Sequence, residues 1–256
     1  MVNESLDNPA PGCSGVLDRF KLNVLERFRD AVGAELLIDF GSGSGRFLAD
    51  CRRHFKRVIG VEVTQAAAEY ARREYALEIL DDVAAIPQGI NVVTMWHSLE
   101  HVPAESIDTI LGTLAERLAT DALVIVSVPN AGSLQYRVFG HRYAFYDAPH
   151  HHHQFSVHSL ELTMGKHGLR PHARMFSGVY NVFAWIQGFL NALPGPRNYI
   201  YYRIKRRSMR RQIGLDLLHF CGAALFVTPA LGLTFVEFIL RQRQSVITEC
   251  FAKRAD

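Results

Sequence analysis

Ile38-Asp39-Phe40-Gly41-Ser42-Gly43-Ser44-Gly45-Arg46 (residues 38–46) places three alternate glycines between an apolar run and a helical one. A short apolar run, Leu36-Leu37-Ile38, leads into it, and apolar residues at helical spacing follow from Arg46 to His54. Glycines between a strand and a helix let the chain turn tightly and bring backbone N–H groups close to a ligand. The spacing narrows the choice of ligand. A dinucleotide fingerprint needs Gly or Ala three positions after its second glycine, and that position is Arg46 here. A Gly-Lys-Ser/Thr phosphate loop is absent. Asp39 before the glycines and Glu62 at the end of the next apolar run suit a different ligand. It would carry an amino group at one end and a ribose diol at the other, since a carboxylate can accept two hydrogen bonds from a diol.

Outward from this turn, strand and helix alternate. Val58–Val61 predicts a second strand and Gln65–Arg73 a helix. Leu77–Leu80 predicts a third strand, Val92–Trp96 a fourth, Ala104–Leu118 a helix and Leu123–Val128 a fifth strand. Upstream, Val16–Phe28 has helical spacing, and residues 1–14 form a polar lead-in. Downstream, Ser156–His167 reads as a capped helix, Pro171–Phe176 as a sixth strand and Ser245–Phe251 as a seventh. Continuous apolar strands alternating with helices indicate a mostly parallel α/β sheet covered on both faces. With 256 residues, 48% hydrophobic and 11% aromatic, the chain can bury a full core, which excludes a disordered protein. Cys13, Cys51, Cys221 and Cys250 are far apart and form no CxxC pair, so a disulfide scaffold and a structural zinc site are not expected. The start has no basic-then-apolar pattern of a secretory signal, and a cytoplasmic location is expected.

These segments together resemble the class I S-adenosylmethionine-dependent methyltransferases. The resemblance rests on IDFGSGSG (38–45), the acid in GVEV (60–63), VVTMWHSLEHV (92–102), LVIVSVPN (123–130) and PHHHHQFSVHSL (149–160). It spans roughly residues 30–178 plus the last strand. It is similar in particular to the branch with the ubiquinone O-methyltransferases and enzymes acting on lipid or glycan precursors. The resemblance implies a Rossmann-like, seven-stranded, mostly parallel sheet in a single domain over 1–256, with S-adenosyl-L-methionine as cofactor. It implies that Asp39, Gly41, Gly43 and Gly45 hold the amino acid end, and that Glu62 takes the ribose with Val63 beside the adenine. Asp81 or Asp82 would contact the adenine, and Trp96 and His97 would line the methionyl part. Two positions depart from the family pattern. Asn91 stands where an acid usually precedes the fourth strand, and Thr120-Asp121 stands where a Pro-Gly turn often precedes the fifth.

The transferred methyl is already activated on a sulfonium, so the protein must align a nucleophile and, for a hydroxyl, remove a proton. Histidine suits that base, and six of the twelve histidines lie between His141 and His158. PHHHHQFS resembles a family segment Pro-Arg-His-x-x-His-Phe-Ser, which makes His151 the candidate base; the family's second His falls on Gln154. His97, Glu100 and His101 form a second cluster at i, i+3, i+4, with His97 and His101 as further catalytic candidates. The ubiquinone enzymes carry Glu-x-x-Glu-His there, associated with a divalent cation. With His97 in the first position no metal is expected.

Residues 180–240 read as a helical insertion before the last strand, apolar and then basic. It would be a membrane-proximal cap that forms the acceptor entrance; the alternative is a buried helical lid or a dimer face. Val182–Leu190 places apolar residues on one helical face, Arg197–Arg211 is basic without an acid, and Leu217–Val236 lacks any Asp, Glu, Lys or Arg. Twenty helical residues would match a bilayer core of about 30 Å. A single crossing would strand the seventh strand on the wrong side, and Gly222, Pro229 and Gly232 interrupt the segment. A monotopic or re-entrant pair of half-helices is therefore expected, held to the inner face of a membrane by its basic run. Residues 194–243 hold nine Lys/Arg and two Asp/Glu, net +7, and the rest of the chain is net −4, so the overall +3 averages two unlike regions. The expected activity is methyl transfer to a hydroxyl, less readily a carbon, of a small amphipathic or lipid-linked acceptor. The alternatives are a cofactor-binding module without transfer and an RNA methyltransferase using 197–211. No nucleic acid partner is favoured, and the composition leaves the oligomeric state open.

Overall fold

The computed structural model describes residues 14–29, 32–147, 150–205, 212–240 and 244–253. In chain order the elements are α1 (Ser14–Arg29), β1 (Leu36–Phe40), α2 (Arg46–Cys51), β2 (Arg57–Val61), α3 (Gln65–Tyr75), β3 (Glu78–Leu80), β4 (Ile90–Trp96) and α4 (Ile107–Arg117). They continue with β5 (Leu118–Pro129), α5 (Leu134–Phe139), α6 (Val157–Gly165), β6 (Leu169–Met175), α7 (Gly178–Leu190), α8 (Tyr199–Lys205), α9 (Ile213–Leu240) and β7 (Val246–Lys253). The expected lead-in, save Ser14, lies outside the described residues, as do Arg206, Arg207, Arg210 and Arg211 of the basic run. Two compact units form. One comprises Asp18–Val128, Pro149–Met175 and Ile247–Asp256, and the other Met1–Leu17, Pro129–Ala148 and Phe176–Val246.

The first unit holds the sheet, in order β3-β2-β1-β4-β5-β7-β6. β1 pairs in parallel with β2 and β4, β2 with β3 and β4 with β5, while β7 runs antiparallel to β6. Side chains along a strand alternate between faces, and here both faces are apolar. Leu36 and Ile38 of β1, with Val93 and Met95 of β4, pack under α4 and α6; Leu37, Val92 and Trp96 pack under α1, α2 and α3. This double burial is why the strands read as unbroken apolar runs rather than as an alternation. Ile38, Val93 and Met95 are wholly buried, and truncating such a residue to alanine costs about 2–5 kcal/mol.

Two local expectations change. Thr120-Asp121 does not form a turn: it lies inside β5, which begins at Leu118. Leu118 pairs with Ile90 and Leu123 with Val92, and the register shift between them absorbs the extra residues. Asn91 lies within β4 rather than before it, and its Oδ1 accepts a hydrogen bond from Leu36 N at 3.0 Å. An amide oxygen thus caps the start of β1, a job for which a carboxylate is not required.

The second unit is helical. α7 packs along α9, and Gly222 of α9 faces Leu190 and Leu193, where a Cβ would come within 3.1 Å of both. α9 is one continuous helix of 28 residues, about 42 Å long, not the expected pair of half-helices. Pro229 lacks one N–H, but the ladder on either side of it is intact, and Gly222 permits close packing instead of ending the helix. Tyr199 Oη donates to Asp216 at 2.9 Å and Arg203 Nε lies 3.1 Å from the same oxygen, which fixes α8 against the start of α9.

Candidate functional site

The glycine turn follows β1 in the sheet unit. Gly41, Gly43 and Gly45 all have positive φ, at 75°, 53° and 77°. Gly41 N and Ser42 N both donate to the Val61 carbonyl, at 2.8 and 3.2 Å, which ties the turn to the end of β2. The three glycines differ in what surrounds them. A Cβ on Gly41 would collide with Ser98, and one on Gly45 would lie 2.7 Å from Ala71 Cβ and 2.5 Å from Leu77 Cδ1. A Cβ on Gly43 would meet nothing within 4 Å. Gly41 and Gly45 therefore serve packing, and Gly43 is where the backbone lies open to a ligand.

Two acids frame the turn. Glu62 Oε2 accepts from Gly43 N at 2.8 Å, and its Oε1 accepts from Thr64 N at 2.7 Å. Each oxygen keeps a further lone pair for a ligand hydroxyl. Asp39 is 3% exposed, and its Oδ1 accepts from Thr94 Oγ1 at 2.6 Å. Burial pushes the Asp39 carboxyl up to about 6; Thr94 and Lys21 pull it down, and Glu62 pushes it further up. The turn can thus offer a buried acid, open backbone and a half-buried carboxylate along one short path.

The remaining expected contacts fall unevenly. Val63, next to Glu62, is 83% exposed. Asp81 and Asp82 are exposed, and Asp82 caps the 3₁₀ turn Val83–Ala85 by accepting from Ala84 N at 2.8 Å. Trp96 is buried, its ring set edge-on to Phe47 and Phe20 at 5.7 and 6.5 Å between centroids, so it fills the core under α1 and α2. His97 has a positive φ of 54°, rare for a side-chain-bearing residue, and its N donates to the Ser127 carbonyl at 2.8 Å.

That backbone turn delivers a histidine cluster. Glu100 sits in the 3₁₀ turn Leu99–His101 and is 1% exposed, with neither carboxylate oxygen hydrogen-bonded. Its Oε1 lies 3.3 Å from His97 Nδ1. His101 Nδ1 lies 3.1 Å from the His150 carbonyl, which can only accept, so the neutral ring keeps its lone pair on Nε2. The rings of His101 and His151 meet edge-on at 4.6 Å, and His153 N donates to the Glu100 carbonyl at 3.2 Å. All three histidines named from the sequence therefore gather around Glu100. The sequence places Glu100 in the cluster, but spacing alone does not reveal that it is buried at its centre. The ligand atoms of Glu100, His101 and His151 lie within 4.8 Å of one another, so these residues could hold a divalent cation as well as move a proton. The cluster adjoins the glycine turn: Ser98 Oγ donates to the Phe40 carbonyl at 2.7 Å.

A family model described as a methyltransferase domain matches residues 17–173. Comparison of the sequence with curated proteins gives no match. Three similar solved structures illustrate the fold. A putative sarcosine dimethylglycine methyltransferase from Galdieria sulphuraria has TM-score 0.61 and 11% identity, over 94% of this chain and 86% of that one. A SAM-dependent methyltransferase from Archaeoglobus fulgidus has TM-score 0.53 and 14% identity, over 92% and 94%. The mycolic acid cyclopropane synthase CmaA1, solved with SAH and CTAB, has TM-score 0.57 and 11% identity, over 93% and 85%.

The glycines make a direct test. Gly45→Ala should destabilise the protein by about 2–4 kcal/mol in chemical denaturation, through steric overlap and a positive φ. Gly43→Ala should cost about 1 kcal/mol for its φ alone, yet weaken ligand binding at the turn. Equal stability losses would contradict the division of roles.

Proposed function

The chain belongs to the methyltransferase-domain family and has the class I S-adenosylmethionine-dependent fold, and on that premise we propose that it methylates a hydroxyl, less readily a carbon, of an amphipathic or lipid-linked acceptor. The observation that carries the hydroxyl reading is the histidine cluster beside the glycine turn, joined through Ser98 and Phe40. The open position at Gly43, the buried acid at Asp39 and the carboxylate of Glu62 fit S-adenosylmethionine, which when bound supplies an electrophilic methyl on sulfonium sulfur. Asp39 would pair with the cofactor's amino group, directly or through water, and Glu62 would accept from the ribose hydroxyls while still holding Gly43.

The chemistry needs a base. His151 would take the acceptor's hydroxyl proton as the acceptor oxygen receives the methyl group that the bound cofactor supplies. His101, oriented by the His150 carbonyl, holds the His151 ring edge-on, and the resulting imidazolium lies near the buried Glu100 carboxylate. A positioned base contributes about 10²–10⁴ in rate, and holding the hydroxyl in line adds more. The amphipathic acceptor is supported by the apolar helical unit, chiefly α9.

Two measurements test this. In labelled-methyl transfer to membrane lipid extracts, His151→Ala should bind cofactor as the wild type does and lose about 10²-fold in turnover. Unchanged turnover would remove His151 from the reaction, and binding without any transfer would leave only a cofactor-binding module. Cofactor affinity should also depend on pH. Protonating Asp39 competes with the cofactor's ammonium, so affinity should be highest near neutral pH and fall toward tenfold per unit below about 6. Asp39→Asn should abolish that slope; a slope that persists in the variant would assign it to another group.

A further inference from the structure

Helix α9 is built inside out. A helix on a water-soluble surface buries its apolar stripe and exposes its polar one. In α9 the buried residues are His219, Ala230, Thr234 and Glu237, which fall within about 60° of arc on one side. Glu237 is fully buried, and its Oε2 accepts from Trp185 Nε1 at 3.0 Å and from Gln135 Nε2 at 3.1 Å. His219 Nε2 donates to the Pro194 carbonyl at 2.9 Å. The outer side carries Leu217, Leu225, Leu231, Phe235 and Ile239, with Leu225 72% and Phe235 63% exposed. Only 17% of the helix's most apolar window is buried, so α9 is not a core helix.

We infer that this outer face of α9 docks on the surface of an anionic lipid bilayer. Buried polar side chains such as Glu237 and His219 turned inward, with large apolar side chains turned outward, are the arrangement expected where the surrounding medium is itself apolar. Charge selects the occupant. The sequence is basic at both ends of α9, with Arg206, Arg207, Arg210 and Arg211 before it and Arg241 and Arg243 after it. Cations at both ends attract anionic headgroups, and they would repel a second copy of the same helix in either orientation. The helix lies along the surface and does not cross it. β6 before α9 and β7 after it are hydrogen-bonded neighbours in one sheet, so both must stay on the same side. The inference concerns a surface and stands apart from the chemistry of the methyl-transfer site.

Flotation of the full-length protein with vesicles tests it. The wild type should float with vesicles of phosphatidylcholine mixed with phosphatidylglycerol and less with phosphatidylcholine alone. Leu225→Glu with Phe235→Glu should lower the bound fraction about tenfold on both. Arg206→Gln with Arg207→Gln should lower it by about tenfold only on the anionic vesicles. Thermal melting and S-adenosylhomocysteine binding, measured on the same samples, should not change. A wild type that binds S-adenosylhomocysteine but floats with neither vesicle overturns the inference and leaves the proposed activity standing. A dimer in solution that Leu225→Glu dissolves, without vesicle binding, gives the face to a second copy and overturns it equally.

Discussion

The Glu62 carboxylate organises the site. It accepts from Gly43 N on one oxygen and from Thr64 N on the other, so one side chain joins the turn after β1 to the start of α3. The turn needs such a tie, because three residues with positive φ within five positions have no intrinsic preference for this geometry. The Val61 carbonyl supplies the matching backbone tie by accepting from Gly41 and Ser42. Once the turn is fixed, the positions of Asp39 below it and of Ser98 beside it follow. Through Ser98, the histidine cluster is held at the same end of the parallel strands, where ligands of open α/β sheets bind.

The sheet was legible because both of its faces are buried. β1, β4 and β5 carry apolar side chains on successive positions, and their short length, flanking glycines and alternation with helices mark them as strands rather than buried helix. Element ends were less legible. Thr120-Asp121 has turn composition, yet it extends β5, because pairing across the register shift at Ile90/Val92 outweighs a local turn preference. α9 shows the same limit from the other side. Gly222, Pro229 and Gly232 read as breaks, but a long apolar helix packed along α7 keeps enough of its ladder to absorb one missing N–H.

The site was legible in its parts. Motif spacing singled out Asp39, the glycines, Glu62 and the three histidines, since each depends on residue type at a fixed distance from a strand end. Depth and direction were not encoded in the same way. Trp96 ends β4 as expected, but the alternation of the strand turns its ring into the core toward Phe47 and Phe20. Asp82 caps a 3₁₀ turn, a role that a polar residue after a strand fills as readily as ligand contact. Glu100 and His151 are far apart in sequence, and only the fold brings their ligand atoms within reach of each other. Buried polarity in α9 is a further case: composition shows an apolar helix, and only packing shows that His219, Thr234 and Glu237 face inward.

On the proposed function, the turn at Gly43, between Asp39 and Glu62, would hold the methyl donor with its reactive end toward the histidine cluster. A crystal structure with S-adenosylhomocysteine bound tests it most directly. The ribose hydroxyls should lie on the Glu62 carboxylate, the homocysteine amino group at Asp39 or a water it holds, and the thioether sulfur should point toward His101 and His151. A nucleoside bound elsewhere on the sheet, or one bound here with its sulfur turned away from those histidines, would contradict it.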